Sequence, residues 1–286
     1  MLQAAQVFFW FALALYIGAT VLYAYQFVLR RAKVGWWARF LTGAGFICQT
    51  LSIGVESWAN NTTKLTGANQ LLLASWALVL LYFVMEHVIK IKIYGTFLIP
   101  FAVLFMAAAR IMTAVGGGPA MYAGEDALLN NWRVGFHVAL IVFGNAGFAF
   151  GAVSAGLYLW QEAQLKNHRS NAVTRRLPSL ATLQLIARRA IGFAFPVYTA
   201  GLLLGILRAV EGQAIDPARF SGWWFDPRIM MSGVVWVTFA AYLWLVYRHE
   251  APTRTSSWVA VAGFVLVVIL AIIARTVPIG FHIFGL

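Results

Sequence analysis

Eight runs of about 20 apolar residues, the length needed to cross a bilayer, organise this chain. They fall at roughly 4–29, 35–57, 70–89, 93–114, 132–160, 184–209, 230–247 and 257–275. In lipid, only helices and closed barrels satisfy their own backbone, and these runs are too long and too uniformly apolar for barrel strands. The expectation is an all-α polytopic transmembrane bundle of about eight helices, forming one integral membrane domain over 1–286. The second run is the least uniform, because Trp36, Trp37 and Arg39 blur its start. The fifth and sixth extend into water as amphipathic helix, as QEAQLKNHR after the fifth indicates. Composition agrees: 62% of residues are hydrophobic and 10% charged, against about 25% charged in a soluble domain. The one cysteine, Cys48, sits in an apolar run and excludes a disulfide framework, a paired-thiol redox motif or a cysteine-built metal site. The first run lacks a basic leader and is long enough to span, so a mature helix is expected there.

The basic residues are placed unevenly. The connections after the first, third, fifth and seventh runs carry fourteen of the twenty-one Lys and Arg residues, and the opposite face carries seven. By the positive-inside rule the first set faces the cytoplasm, so both termini lie outside. The net charge of +12 is then mostly a topology signal. Its dispersal over four short connections argues against nucleic-acid binding. The bilayer, with its anionic lipids, is the implied surroundings.

This topology puts the 210–228 connection, with its stretch RFSGWWFDPRIMM, on the outer face. Two histidines share that face: His137 near the start of the fifth run and His282 in the tail. Trp223, Trp224 and Phe225 suit an interfacial aromatic belt; they also suit a floor for a flat ligand. Asp226-Pro227 has the pattern of an N-cap followed by a first helical residue, so the seventh helix is expected to begin at Pro227. Two neutral imidazoles can hold the axial positions of a haem iron. Aromatic rings offer the macrocycle a flat apolar contact, and Arg133, Arg208, Arg219 and Arg228 offer its propionates charge-assisted hydrogen bonds. Gly147 with Gly151, and Gly201 with Gly205, form small-xxx-small pairs that signal close helix packing. Pro196 lies inside the sixth run, and Glu86 with His87 at the inner end of the third. No phosphate-cradling loop, nucleophile elbow or His-Glu-x-x-His motif is present, and no acid–base pair is evident, so the chain is not expected to be an enzyme.

Several segments together resemble the cytochrome c assembly superfamily, which includes the CcsA/ResC and CcmC proteins and the HemX-like branch. NWRVGFHVALIVFGNAGFAFGAVSAGLYLWQEAQLK resembles the family helix that opens with a histidine. RRLPSLATLQLIARRAIGFAFPVYTAGLLLGILRA resembles the segment after it, with its Leu-Pro-Ser-Leu start and glycine-rich helix. SGWWFDPRIMMSGVVWVTFAAYLWL falls where the family carries its tryptophan-rich loop, and VPIGFHIFGL where it carries a second outer histidine. The similarity is best over about 130–286, with LTGANQLLLASWALVLLYFV resembling an early family segment.

The resemblance implies a non-covalent, b-type haem held at the outer loop. His137 and His282 would be the axial iron ligands, Trp223 and Asp226 the family-like loop members, and Trp224, Phe225, Arg133, Arg219 and Arg228 further contacts. Three departures stand out. Phe225 replaces a family tryptophan, Arg219 and Phe220 stand where the loop's leading Trp-Gly would be, and Trp244 takes the place of a histidine found in System II synthases. These shift weight toward a HemX-like member. The implied partners are a membrane protein with a large extracytoplasmic domain or a soluble enzyme of haem synthesis. The implied location is the plasma membrane of a bacterium. The alternatives are a HemX-like regulator of tetrapyrrole synthesis acting through cytoplasmic loops such as 166–189, and a transporter of haem or another solute, which the sparse intramembrane polar residues disfavour.

Overall fold

The computed structural model describes residues 1–29, 31–59, 67–89, 94–115, 132–168, 177–215, 217–218, 220–248 and 253–276. Among these are eight α-helices: α1 (Leu2–Leu29), α2 (Ala32–Ala59), α3 (Gly67–Ile89), α4 (Tyr94–Val115), α5 (Trp132–Lys166), α6 (Leu180–Ile215), α7 (Pro227–Tyr247) and α8 (Thr253–Thr276). A three-residue 3₁₀ turn, Trp223–Phe225, precedes α7. The fold is all-α and polytopic, as expected. Seven of the helices are long and apolar enough to cross a membrane. The chain divides into two compact units, Met1–Gly118 with α1–α4 and Pro119–Leu286 with α5–α8.

In the first unit, α1 buries Ala5, Phe9, Ala12, Tyr16, Ala19 and Tyr23. The alternating spacing of four and three puts them on one stripe of the helix. Its other faces expose apolar side chains such as Phe11, Ile17 and Val21, as lipid-facing surface requires. Gly45 of α2 lets α1 approach, since a Cβ there would lie 2.7 Å from the Tyr16 ring. Helix α2 is the one that falls short in apolarity. Its polar groups face protein partners. The Gln49 carboxamide accepts from Tyr16 Oη (2.9 Å) and donates to the Leu72 carbonyl (3.1 Å). Ser52 donates to the Ala5 carbonyl (2.8 Å), and Arg39 pairs with the buried Glu86 of α3 (2.6 Å). A 28-residue helix with this many polar side chains tolerates an apolar setting because those side chains are satisfied internally.

The second unit is built on the antiparallel α5–α6 pair. Contacts step from His137/Gly205 through Ile141/Gly201, Gly144/Tyr198 and Gly147/Ala194 to Gly151/Ile191. One helix therefore climbs as the other descends. A Cβ on Gly147 would meet Ala194 Cβ at 2.6 Å, and one on Gly151 would meet Ile191 at 2.4 Å. The glycines thus set the spacing between the helices, as their small-xxx-small pattern predicts. Phe148 of α5 stacks on Phe239 of α7 (3.6 Å, 6°), and Tyr198, Val235, Ala260 and Val267 complete this core. Gly263 brings α8 against Phe239. Helices α5 and α6 have 35 and 36 residues, about 52–54 Å of rise against about 30 Å of hydrocarbon. Their ends therefore project past the apolar layer. Ser179 begins α6 by accepting from the Thr182 N–H (3.2 Å), an N-cap within the Leu-Pro-Ser-Leu sequence. Helix α6 continues through Pro196.

Candidate functional site

The candidate site gathers on the final turns of α6, from Gly201 to Gln213. These residues rise about 18 Å along the helix and receive side chains from α5 and from the connection to α7. The antiparallel register brings the start of α5 to the end of α6, so His137 and Arg133, one turn apart, share a face there.

His137 Nδ1 lies 2.7 Å from the Gly201 carbonyl oxygen, and the ring is half-buried. Its edge rests on Gly205, where a Cβ would stand 2.6 Å from Cε1. Two turns further along α6, Glu211 takes two arginines at once. Arg133 Nη1 donates to Oε1 at 2.7 Å and Arg208 Nη1 to Oε2 at 2.6 Å. This three-residue cluster joins α5 to α6 and carries a net positive charge.

The connection is tied to the same helix. The Phe220 ring packs on Gly212, where a Cβ would fall 2.5 Å from it. Trp223 Nε1 donates to Gln213 Oε1 at 3.1 Å. Gly222 adopts a left-handed φ of 69°, a conformation glycine takes without penalty, and turns the backbone into Trp223–Phe225. The aromatic rings do not form one flat floor. Trp223 and Trp224 meet at 70° and Trp224 and Phe225 at 61°, so the rings fan apart. Trp223 is half-buried, whereas Trp224 and Phe225 are 50% and 72% exposed. Asp226 is buried, and its Oδ1 accepts from the Arg228 backbone N–H at 2.9 Å. Helix α7 begins at Pro227, as expected from Asp-Pro.

Of the residues expected to form the site, His137, Arg133, Trp223, Trp224, Phe225, Asp226 and Arg228 lie within this assembly. Arg219 and His282 fall outside the described residues. Trp244 lies near the far end of α7, exposed, with the Arg248 guanidinium 5.4 Å from its ring centre. Among the described residues no cluster of three or more His, Cys, Asp or Glu side chains suits a metal ion. Glu211, Gln213, Gly205 and Gly212 were not foreseen as site members. In sequence Glu211 is one of several scattered acids, and its partner Arg133 lies 78 residues away.

The cytochrome C assembly protein family model matches residues 65–282. The chain belongs to that family. The match runs from the LTGANQ segment, which leads into α3, through the whole α5–α8 assembly and leaves α1 and α2 outside it. Protein HemX of Brevibacillus brevis is 26% identical over 197 residues, covering 68% of each chain. The cytochrome c biogenesis protein CcsA of Guillardia theta is 25% identical over 232 residues, covering 75% of this chain and 74% of its own. CcsA of Synechococcus sp. (strain RCC307) is 25% identical over 174 residues, 56% of each chain. No solved structure matches. With seven apolar helices and relatives of this kind, this family member is a multi-pass membrane protein.

Proposed function

We propose that this protein binds haem non-covalently at the end of its second unit and serves cytochrome c assembly by holding haem rather than transforming it. The observation that carries this is the convergence on the last turns of α6 of an imidazole, a cationic cluster and an exposed aromatic turn. His137 would be one axial ligand and His282 the other. The exposed faces of Trp224 and Phe225 are available for contact with a macrocycle, and Trp223, Asp226 and Phe220 hold the turn that presents them. Arg133, Arg219 and Arg228 would meet the propionates. The residues present fit the group: a half-buried imidazole, large exposed rings and cations in excess of carboxylates. When bound, haem supplies the iron and its redox chemistry; this chain supplies position and charge.

We further propose that both termini and the 210–228 connection face outside the plasma membrane of a bacterium, and that 1–286 acts as one membrane domain. The partner would be a membrane protein with a large extracytoplasmic domain. The deciding measurement is the absorption spectrum of the purified protein beside His137→Ala and His282→Ala. Bis-histidine haem gives sharp reduced α and β bands, and each variant should lose them. Failure to bind supplied haem overturns the proposal.

A second reading is a HemX-like regulator of tetrapyrrole synthesis acting on a soluble enzyme, favoured by the HemX relative and by Trp244 in place of a histidine. Deletion separates the two. Loss of cytochrome c with normal haem indicates assembly; raised levels of an early haem-synthesis enzyme indicate regulation.

A further inference from the structure

The pair Gly201 and Gly205 has the spacing of ordinary close helix packing, yet at Gly205 what fills the groove is an imidazole. We infer that these two glycines are positioning residues for His137: they fix its ring and its tautomer so that Nε2 is the atom offered to iron. The inference rests on the haem reading above and deepens it.

The first part of the argument is chemical. A carbonyl oxygen only accepts, so the 2.7 Å contact between His137 Nδ1 and the Gly201 oxygen requires a proton on Nδ1. In the neutral ring the lone pair then belongs to Nε2. Within a helix the Gly201 carbonyl also accepts from the N–H of residue 205, and its second lone pair takes the imidazole. Histidines that ligate metals usually hold their other N–H in such a bond, which orients the ring and raises its basicity.

The second part is steric. A side chain four residues on lies over a helical carbonyl. At position 205 a Cβ would stand 2.6 Å from His137 Cε1, 3.0 Å from Nδ1 and 3.4 Å from Nε2. The ring therefore occupies the volume that any other residue would use. Gly201 does a different job. A Cβ there would meet the Ile141 backbone nitrogen at 3.1 Å and its Cδ1 at 2.9 Å, so glycine lets α5 come near enough for the ring to reach the carbonyl.

Solid-state NMR of the full-length, ligand-free protein with ¹⁵N-labelled histidine reads the tautomer directly, with His137 assigned by its loss in His137→Asn. At mildly alkaline pH, wild type should show protonated Nδ1 and unprotonated Nε2. An Nε2-protonated ring in wild type overturns the inference without any variant being made. Gly205→Ala should change this signature and weaken haem binding about 10–100-fold, as loss of an outer-shell partner does. Gly147→Ala, which crowds the same helix pair about 15 Å along α5, should do neither. Equal effects from both alanines would assign the change to helix spacing and overturn the inference. If haem binding depends on His137 but Gly205→Ala binds as wild type, the seat falls and the haem reading stands. If the tautomer is as stated but no haem binds, the haem reading falls and takes the ligand role with it.

Discussion

Asp226 is almost wholly buried, and its carboxylate accepts from the backbone N–H of Arg228. Removing it leaves the first turn of α7 without its cap, so Asp226→Ala should cost about 1 kcal/mol in thermal or denaturant unfolding of the purified protein. The two loop tryptophans should separate by the same physics. Trp223 is half-buried and bonded to Gln213, whereas Trp224 is half-exposed. Trp224→Ala should weaken haem binding by about 0.5–1.5 kcal/mol, about 2- to 13-fold in Kd, with an unchanged melting temperature. Trp223→Ala should lower both. At this scale Asp226-Pro227 was legible in sequence, because an N-cap and the proline after it are neighbours in the chain. The use of Gln213 and Glu211 was not, since their partners are chosen by how α5, α6 and the connection meet.

The helices were legible wherever lipid dictates composition. The apolar run 184–209 became Leu180–Ile215, and 132–160 became Trp132–Lys166. Turns lying beyond the hydrocarbon are polar, so hydrophobicity alone cannot find their ends; the Ser179 cap could have. Helix α2 shows the opposite case, where internal partners replace apolar composition as the condition for burial. Arg39 and Glu86 make its most consequential bond, with Glu86 8% and Arg39 44% exposed. Arg39→Met leaves that carboxylate buried without its cation. It should destabilise by less than the ~3–5 kcal/mol of a fully buried pair, since Arg39 is partly in contact with solvent. The double change with Glu86→Gln should recover part of the loss, as equilibrium unfolding in detergent would show. The Gly201–Gly205 spacing was visible as a packing signal, but a one-dimensional pattern does not tell which residue of the facing helix falls opposite.

Across the whole molecule, the proposed sidedness rests on the distribution of cations. With Cys48 replaced by alanine, single cysteines at Ser221 and Asn167, both exposed, report the two faces. A membrane-impermeant thiol reagent should label Ser221→Cys in intact cells and Asn167→Cys only after permeabilisation. The reverse pattern would invert the proposed topology and move the candidate site to the cytoplasmic face. The family match from 65 to 282 shows where the shared sequence lies, and α1 and α2 stand outside it. The polar stripe of α2 therefore belongs to the portion of the chain without that family signature.

The stepwise contacts between α5 and α6 also limit how this protein can change in length. Each added residue turns a helix by about 100°. One residue inserted between His137 and Gly144 would swing the imidazole out of its groove while the glycine contacts beyond it stayed in register. Four residues would bring it back to within about 40° of its present direction, but one turn further along α6. The spacing between those two positions is thus discrete: single-residue insertions and deletions are closed to this helix, while the connections at its ends are free of that rotational constraint.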